Sequence, residues 1–169
     1  IFSDAGSATF LTKSDSKKVG PFDFGTDRSG FDKLIVKEGA AKSGFMKHNY
    51  PTLNMDGAAV FMFTMSVVSK SINNFLNKYG VIKEKIDMYI FHQASKVVLD
   101  NLQRVLKIPD DSMFNNIIDL GNTVSSSIPI ALKDADMNSS ISQEELVLIS
   151  GFGVGLSWGT CLLTWNKLL

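Results

Sequence analysis

The chain has 169 residues, 44% of them hydrophobic, and its 17 Lys+Arg balance its 17 Asp+Glu. That is enough for one domain with its own core and excludes a disordered chain. The even charge, the lack of a dense basic stretch and apolar runs too short to span a bilayer argue against nucleic acid and membrane as partners.

With no initiator Met, the chain opens at Ile1-Phe2-Ser3-Asp4 as though a strand were already under way, so a piece of something longer is expected. Ile1 to Leu11 places the small residues Asp4-Ala5-Gly6-Ser7-Ala8 between apolar ends and reads as two strand pieces around a tight feature. Thr12 to Asn54, rich in Lys, Ser, Gly and Asp, reads as a long surface excursion with short strands, and His48 within it as a surface histidine. A helix is predicted from about Asp56 to Tyr79, with Val60, Phe63, Val67, Val68, Ile72, Phe75 and Leu76 on one stripe. Asn54 or Asp56 would cap it and Gly80 would end it.

Ile86 to Phe91 is a predicted strand, and Ala94 to Leu106 a helix closed off by Pro109. Phe114 to Leu120 is strand-like, and Thr123 to Ala135 is helical with Ile128, Ala131 and Leu132 inward. Leu146 to Ser150 is a strand, followed by Gly151-Phe152-Gly153-Val154-Gly155 and a last strand to Trp165. Strands alternating with helices predict α/β layers on a largely parallel sheet. The last strand comes after its predecessor through a Gly-rich turn without a helix, so it must run antiparallel to it.

Several motifs carry competing readings. The glycines of 151–155 come after an apolar strand, but a dinucleotide site needs a helix N-terminus next, and Leu156 to Trp165 alternate like a strand instead. Here the glycines serve a hairpin that approaches another group closely, or one whose N–H groups line a site. Asp134, Asp136, Asn138 and Glu145 fall at calcium-loop spacing, yet Ser139 stands at the glycine position and no exiting helix is expected; a polar helix-to-strand loop is preferred and no metal is expected. Cys161 sits among Trp158, Leu162, Leu163 and Trp165, where burial makes a thiol a poor nucleophile, so it reads as structural. As the single cysteine it excludes an internal disulfide and fits a reducing, cytoplasmic setting.

His92 and Asn122 stand apart. Each comes after a short apolar run and opens a segment with helical character, the position where α/β sheets place ligands. A neutral imidazole and a side-chain amide can donate two hydrogen bonds to one carbonyl oxygen as it gains negative charge. The alternative for His92 is a satisfied core histidine.

Taken together these segments resemble the C-terminal half of the thiolase-fold condensing enzymes, most closely β-ketoacyl–acyl-carrier-protein synthase III. Ser3-Asp4-Ala5-Gly6-Ser7-Ala8 is similar to the family's Gly-Asp-Gly/Ala-Ala/Gly-Gly/Ser-Ala segment, and Met55 to Phe61 to the start of its long helix. His92-Gln93-Ala94-Ser95 resembles His-Gln-Ala-Asn, Gly121-Asn122-Thr123 matches directly, and Phe152 to Gly159 resembles Phe-Gly-Gly-Gly-Phe-Thr-Trp-Gly. The motifs are collinear over nearly the whole chain and specific as a set.

The resemblance implies a thiolase-like half over residues 1–169, with a mixed five-stranded sheet, an antiparallel last strand and helices on both faces. It implies decarboxylative condensation of an acyl-CoA with a malonyl–carrier protein, in which His92 and Asn122 stabilise the enolate and no cofactor is bound. Phe152, Gly153 and Val154 would form the wall and the oxyanion hole, with Val154 donating from its backbone N–H. Gly57, Phe61 and Ser95 would face substrate, although Ser95 replaces an Asn that touches the pantetheine arm. Lys96 and Arg104 would meet the acidic carrier protein or remain solvated. The nucleophilic cysteine belongs to the family's N-terminal half, which this chain lacks, so the partners expected are that half, an acyl carrier protein, a CoA thioester and, at full length, a second copy in a homodimer. The alternatives are related polyketide or surface-polysaccharide acyl chemistry, and a non-catalytic acyl-thioester-binding module.

Overall fold

The computed structural model describes residues 2–37 and 52–166, and its layering stems from the strand β4, Met88–Phe91, whose four side chains are all buried. Because successive strand residues point to opposite faces, Met88 and Ile90 enter one core and Tyr89 and Phe91 another. The first core is completed by Ala131 and Ala135 from α5 (Ser127–Met137). The second is completed by Ile72 and Phe75 from α2 (Ser69–Tyr79) and Leu99 and Leu102 from α3 (Lys96–Leu106). Helices therefore cover both faces, as expected.

The sheet is five-stranded and mixed, in the order β1-β7-β6-β4-β5, with β1 at Val19–Thr26, β5 at Met113–Phe114, β6 at Leu146–Gly153 and β7 at Ser157–Thr164. β4 runs parallel to β5 and β6, while β7 is antiparallel to both β6 and β1. The expected antiparallel last strand is present.

The long helix starts at Gly57, after Asp56, whose Oδ1 accepts the Ala59 N–H at 3.0 Å, and ends at Gly80 with φ 62°. It is interrupted: α1 (Gly57–Phe63) passes through a π-helical stretch, Thr64–Val68, into α2. Three hydroxyls bond back to carbonyls one turn earlier at this point, Thr64 to Val60 (2.9 Å), Ser66 to Met62 (2.6 Å) and Ser69 to Met65. Such back-bonding competes with the helix ladder and accompanies its widening.

Three expectations are corrected. The stretch Thr12 to Asn54 is not only a surface excursion, because β1 lies within it as an edge strand of the main sheet. Pro21 is tolerated there since an edge strand needs no second ladder, and Gly25 leaves room for Trp158, whose ring carbon would lie 2.1 Å from a Cβ. A smaller two-stranded sheet pairs β2 (Leu34–Val36) with β3 (Leu53–Met55); His48 lies outside the described residues. Phe114 to Leu120 is strand only as far as Phe114, after which Ile117–Leu120 form one helical turn, α4. Residues 2–11 do not form two strand pieces: Phe2 makes a single bridge to Asn122, and the rest is exposed and irregular.

The calcium-loop spacing likewise dissolves. Asp134 and Asp136 lie on α5, where Asp134 accepts from Asn116 Nδ2 at 2.7 Å and Asp136 from the Trp165 indole at 3.0 Å, while Glu145 caps its own turn through the Ser142 N–H. Among the described residues no His, Cys, Asp or Glu cluster could hold a metal ion, and no helix is long and apolar enough to cross a membrane. The glycines after Ile149 belong to β6 and its turn into β7, with no helix between them.

Candidate active site

One cleft of about 1240 Å³ opens where β4 and β6 end and α5 begins. His92 and Asn122 both line it, as do Gly57, Phe61, Ser95, Phe152, Gly153 and Val154. Lys96 is not on its wall; that side chain is exposed and pairs with Asp100 at 2.6 Å. No Asp, Glu, Lys or Arg among the described residues lines the cleft.

His92 is the first residue beyond β4, and its N–H still continues the sheet by donating to Ser150 O at 2.9 Å. Its ring stands nearly perpendicular to that of Phe152, at 5.5 Å between centroids, with Nδ1 2.7 Å from Ser127 Oγ. Nε2 has no hydrogen-bond partner among the described residues. Burial in this uncharged setting pushes the imidazole pKa from 6.5 down to about 4, so the ring is neutral at pH 7. A neutral imidazole can still donate one hydrogen bond without carrying charge into an apolar site.

The Asn122 amide is oriented by its surroundings. The Val124 N–H can only donate, so the atom 2.9 Å away is Oδ1, which leaves Nδ2 as donor. One Nδ2 hydrogen goes to Ala94 O at 3.3 Å, and the second has no partner among the described residues. Asn122 is itself buried. Its loop is held from the outside by the N-terminal segment, through Ser3 N–H to Asn122 O at 2.9 Å and Ser3 Oγ to Leu120 O.

Gln93 ties the two halves of the site together. Fully buried, its amide donates to Phe91 O at 2.8 Å and accepts the Asn116 N–H at 3.1 Å, which links the end of β4 to the segment leading to Asn122. Ser95 accepts the Val98 N–H at 3.3 Å as the N-cap of α3 while facing the cleft. Phe152 is buried on β6, Gly153 pairs with Ser157, and Val154 sits exposed at the hairpin turn. The positive φ in that turn falls on Gly155, not on Val154, so the valine is not forced into the left-handed region.

Cys161 also reaches the cleft wall but is buried on β7, with Sγ near Leu162 O at 3.2 Å, and burial raises its thiol pKa. That fits the structural reading. Sequence reasoning missed Ser127, Gln93 and the contacts of Phe2 and Ser3 with Asn122 as parts of the site. Ser127 left one signal, a serine in an otherwise apolar inward stripe next to Ile128 and Ala131.

Comparison with known proteins converges on one family. The family model for the C terminal of 3-oxoacyl-[acyl-carrier-protein] synthase III matches residues 76–165. A β-ketoacyl-[acyl-carrier-protein] synthase III of Streptococcus pyogenes is 33% identical over 96% of this chain and 52% of its own length. A crystal structure of a 3-oxoacyl-(acyl-carrier-protein) synthase III superposes with a TM-score of 0.83 at 33% identity, covering 92% of this chain and 50% of that one. The priming β-ketosynthase of a polyketide biosynthetic pathway also superposes with a TM-score of 0.83, at 26% identity over 91% of this chain and 47% of that one. The chain spans about half the length of the curated relatives it matches.

Proposed function

The chain belongs to the 3-oxoacyl-[acyl-carrier-protein] synthase III family, as its C-terminal half, and on that footing we propose that it supplies the enolate-stabilising part of a condensing active site. The observation that carries this reading is a pair of donors without a partner among the described residues, His92 Nε2 and the second Asn122 Nδ2 hydrogen, on two residues that line a cleft to which no described Asp, Glu, Lys or Arg contributes.

In the proposed reaction the bond from the malonyl α-carbon to its carboxylate breaks and CO₂ leaves. The electron pair passes to the α-carbon and onto the thioester oxygen, where His92 and Asn122 stabilise the developing charge. The enolate carbon then attacks the acyl thioester carried by a cysteine of the other half, and that sulfur leaves as thiolate. Donors that are already oriented need no reorganisation as the charge appears, and a site without competing charges strengthens them. Phe152 shapes the malonyl side, and Gly57, Phe61 and Ser95 the approach for the thioester arm, with Val154 N–H as the donor to the acyl-cysteine oxygen. Lys96, outside the cleft, is free to meet an acidic carrier protein only by leaving Asp100.

The cleft is larger than the roughly 300–1,000 Å³ usual for a small-molecule pocket, and Phe2, Phe24, Leu53 and Met55 on its rim are exposed. That supports an N-terminal half seated over it, with a homodimer and a cytoplasmic setting completing the proposal. The fatty-acid role is preferred; the polyketide ketosynthase's similar fold keeps a polyketide starter as the second reading, to be separated by the acyl chains accepted.

The test supplies the N-terminal half and measures malonyl decarboxylation. Chain extension should require both halves, and His92→Ala or Asn122→Ala should each lower decarboxylation by roughly 10²–10³-fold. Robust condensation by the 169 residues alone would overturn the need for a second half.

A further inference from the structure

Ser127, the first residue of α5, is buried, and its Oγ lies 2.7 Å from His92 Nδ1 while the Gln93 N–H approaches the same oxygen at 3.4 Å. A serine oxygen has one proton to give and two lone pairs to receive. The Gln93 N–H can only donate, so it occupies a lone pair. If His92 also donated from Nδ1, the serine proton would be left in a buried position with no acceptor among the described residues. If the hydroxyl donates to Nδ1, all three groups are satisfied, which is the arrangement buried polar groups adopt.

We propose that Ser127 is a positioning residue that fixes the His92 tautomer: its hydroxyl donates to Nδ1, so the single ring proton resides on Nε2 and is offered to the cleft. This deepens the enolate reading and rests on it, since a fixed Nε2–H matters to catalysis only if an oxygen gains charge there. The Gln93 contact makes the serine part of a short relay, from the backbone N–H beyond β4 through Ser127 to the ring. A serine at this position thereby couples the start of α5 to the orientation of the donor. The burial that keeps His92 neutral is a separate contribution, which Ser127 does not need to supply.

The tautomer can be read without substrate or a second half. The chain has two histidines, so ring ¹⁵N spectra of labelled protein and of His48→Gln assign the His92 signals. At pH 7 the expected wild-type spectrum has Nε2 protonated and Nδ1 bare. Ser127→Ala should lower the Nε2–H to Nδ1–H ratio by about fivefold, the equivalent of one ordinary hydrogen bond, and Ser127→Thr, which keeps a hydroxyl, should restore it. A wild-type ring protonated on Nδ1 overturns the proposal even if the alanine variant fails to fold. An unchanged ratio in folded Ser127→Ala overturns it as well. Absence of malonyl decarboxylation in the two-half assembly, with the Nε2–H tautomer and its Ser127 dependence intact, would instead count against the enolate reading alone.

Discussion

The N-terminal segment and the final hairpin are built to a similar recipe, and only one of them becomes a strand pair. Both place a glycine-containing stretch between apolar ends, the small residues Asp4-Ala5-Gly6-Ser7-Ala8 in the first and glycines alternating with Phe152 and Val154 over Gly151 to Gly155 in the second. The hairpin forms two strands of eight residues, and β4 and β1 complete its ladders on either side. Val147 and Leu148 within it are fully buried. The N-terminal segment makes one bridge, to Asn122, and leaves Phe10 83% and Leu11 77% exposed. Strand formation here depends on what lies alongside as much as on residue pattern, because a ladder needs partners and an apolar face needs a cover. The contrast can be broken or sharpened by experiment.

The largest effect should come from the core of the hairpin. Leu148 joins the core between α2, α3 and the sheet with no exposed surface. Leu148→Ala removes that packing and leaves a cavity, so it should destabilise the chain by ~2–5 kcal/mol in urea unfolding. A loss below about 1 kcal/mol would mean that the hairpin is not the well-packed region the contrast requires.

A smaller effect tests whether this region dries the site at its end. The His92 pKa falls from 6.5 to about 4 on folding, through burial. As pH drops, the unfolded chain therefore takes up this proton before the folded one does. The stabilisation is complete above about pH 6.5 and is lost progressively down to about pH 4, amounting to about 3 kcal/mol at most. An NMR titration of the ring should show a midpoint near 4, and His92→Gln should flatten the acid side of the stability profile over that interval. A midpoint near 6.5 would show the ring to be solvated.

The same contrast explains what could be read from the chain alone. Met88–Phe91, Lys96–Leu106 and the β6–β7 hairpin were legible because local pattern and tertiary burial agree there, in continuous apolar runs or a stripe at helical spacing. β1 was hidden by Gly20, Pro21, Asp23 and Gly25, residues that an edge strand beside Trp158 accommodates and that otherwise spell a loop. Phe114 to Leu120 misled because Ile117 and Ile118 suit a strand, yet the backbone needs a helical turn to bring Asn122 against Ala94. In the site, His92 and Asn122 were visible as types that donate without charge. Ser127 and Gln93 were not, because what they do depends on contacts 23 to 35 residues away that no local spacing encodes.

The smallest effect probes the N-terminal segment itself. If Phe10 contributes to a core of this chain, trimming it should resemble Leu148→Ala; if it awaits a cover, trimming it should do almost nothing here. Its high exposure favours the second outcome. Phe10→Ser should change the unfolding free energy of the 169-residue chain by less than about 0.5 kcal/mol. Hydrogen exchange sharpens the point: the amides of Thr9 and Phe10 should exchange without measurable protection, while those of Leu148 and Leu162 should exchange only on global unfolding. A marked loss of stability in Phe10→Ser, or slow exchange at Thr9 and Phe10, would mean that the segment already has its partner within this chain. The difference between the two regions would then lie in their residues rather than in what surrounds them.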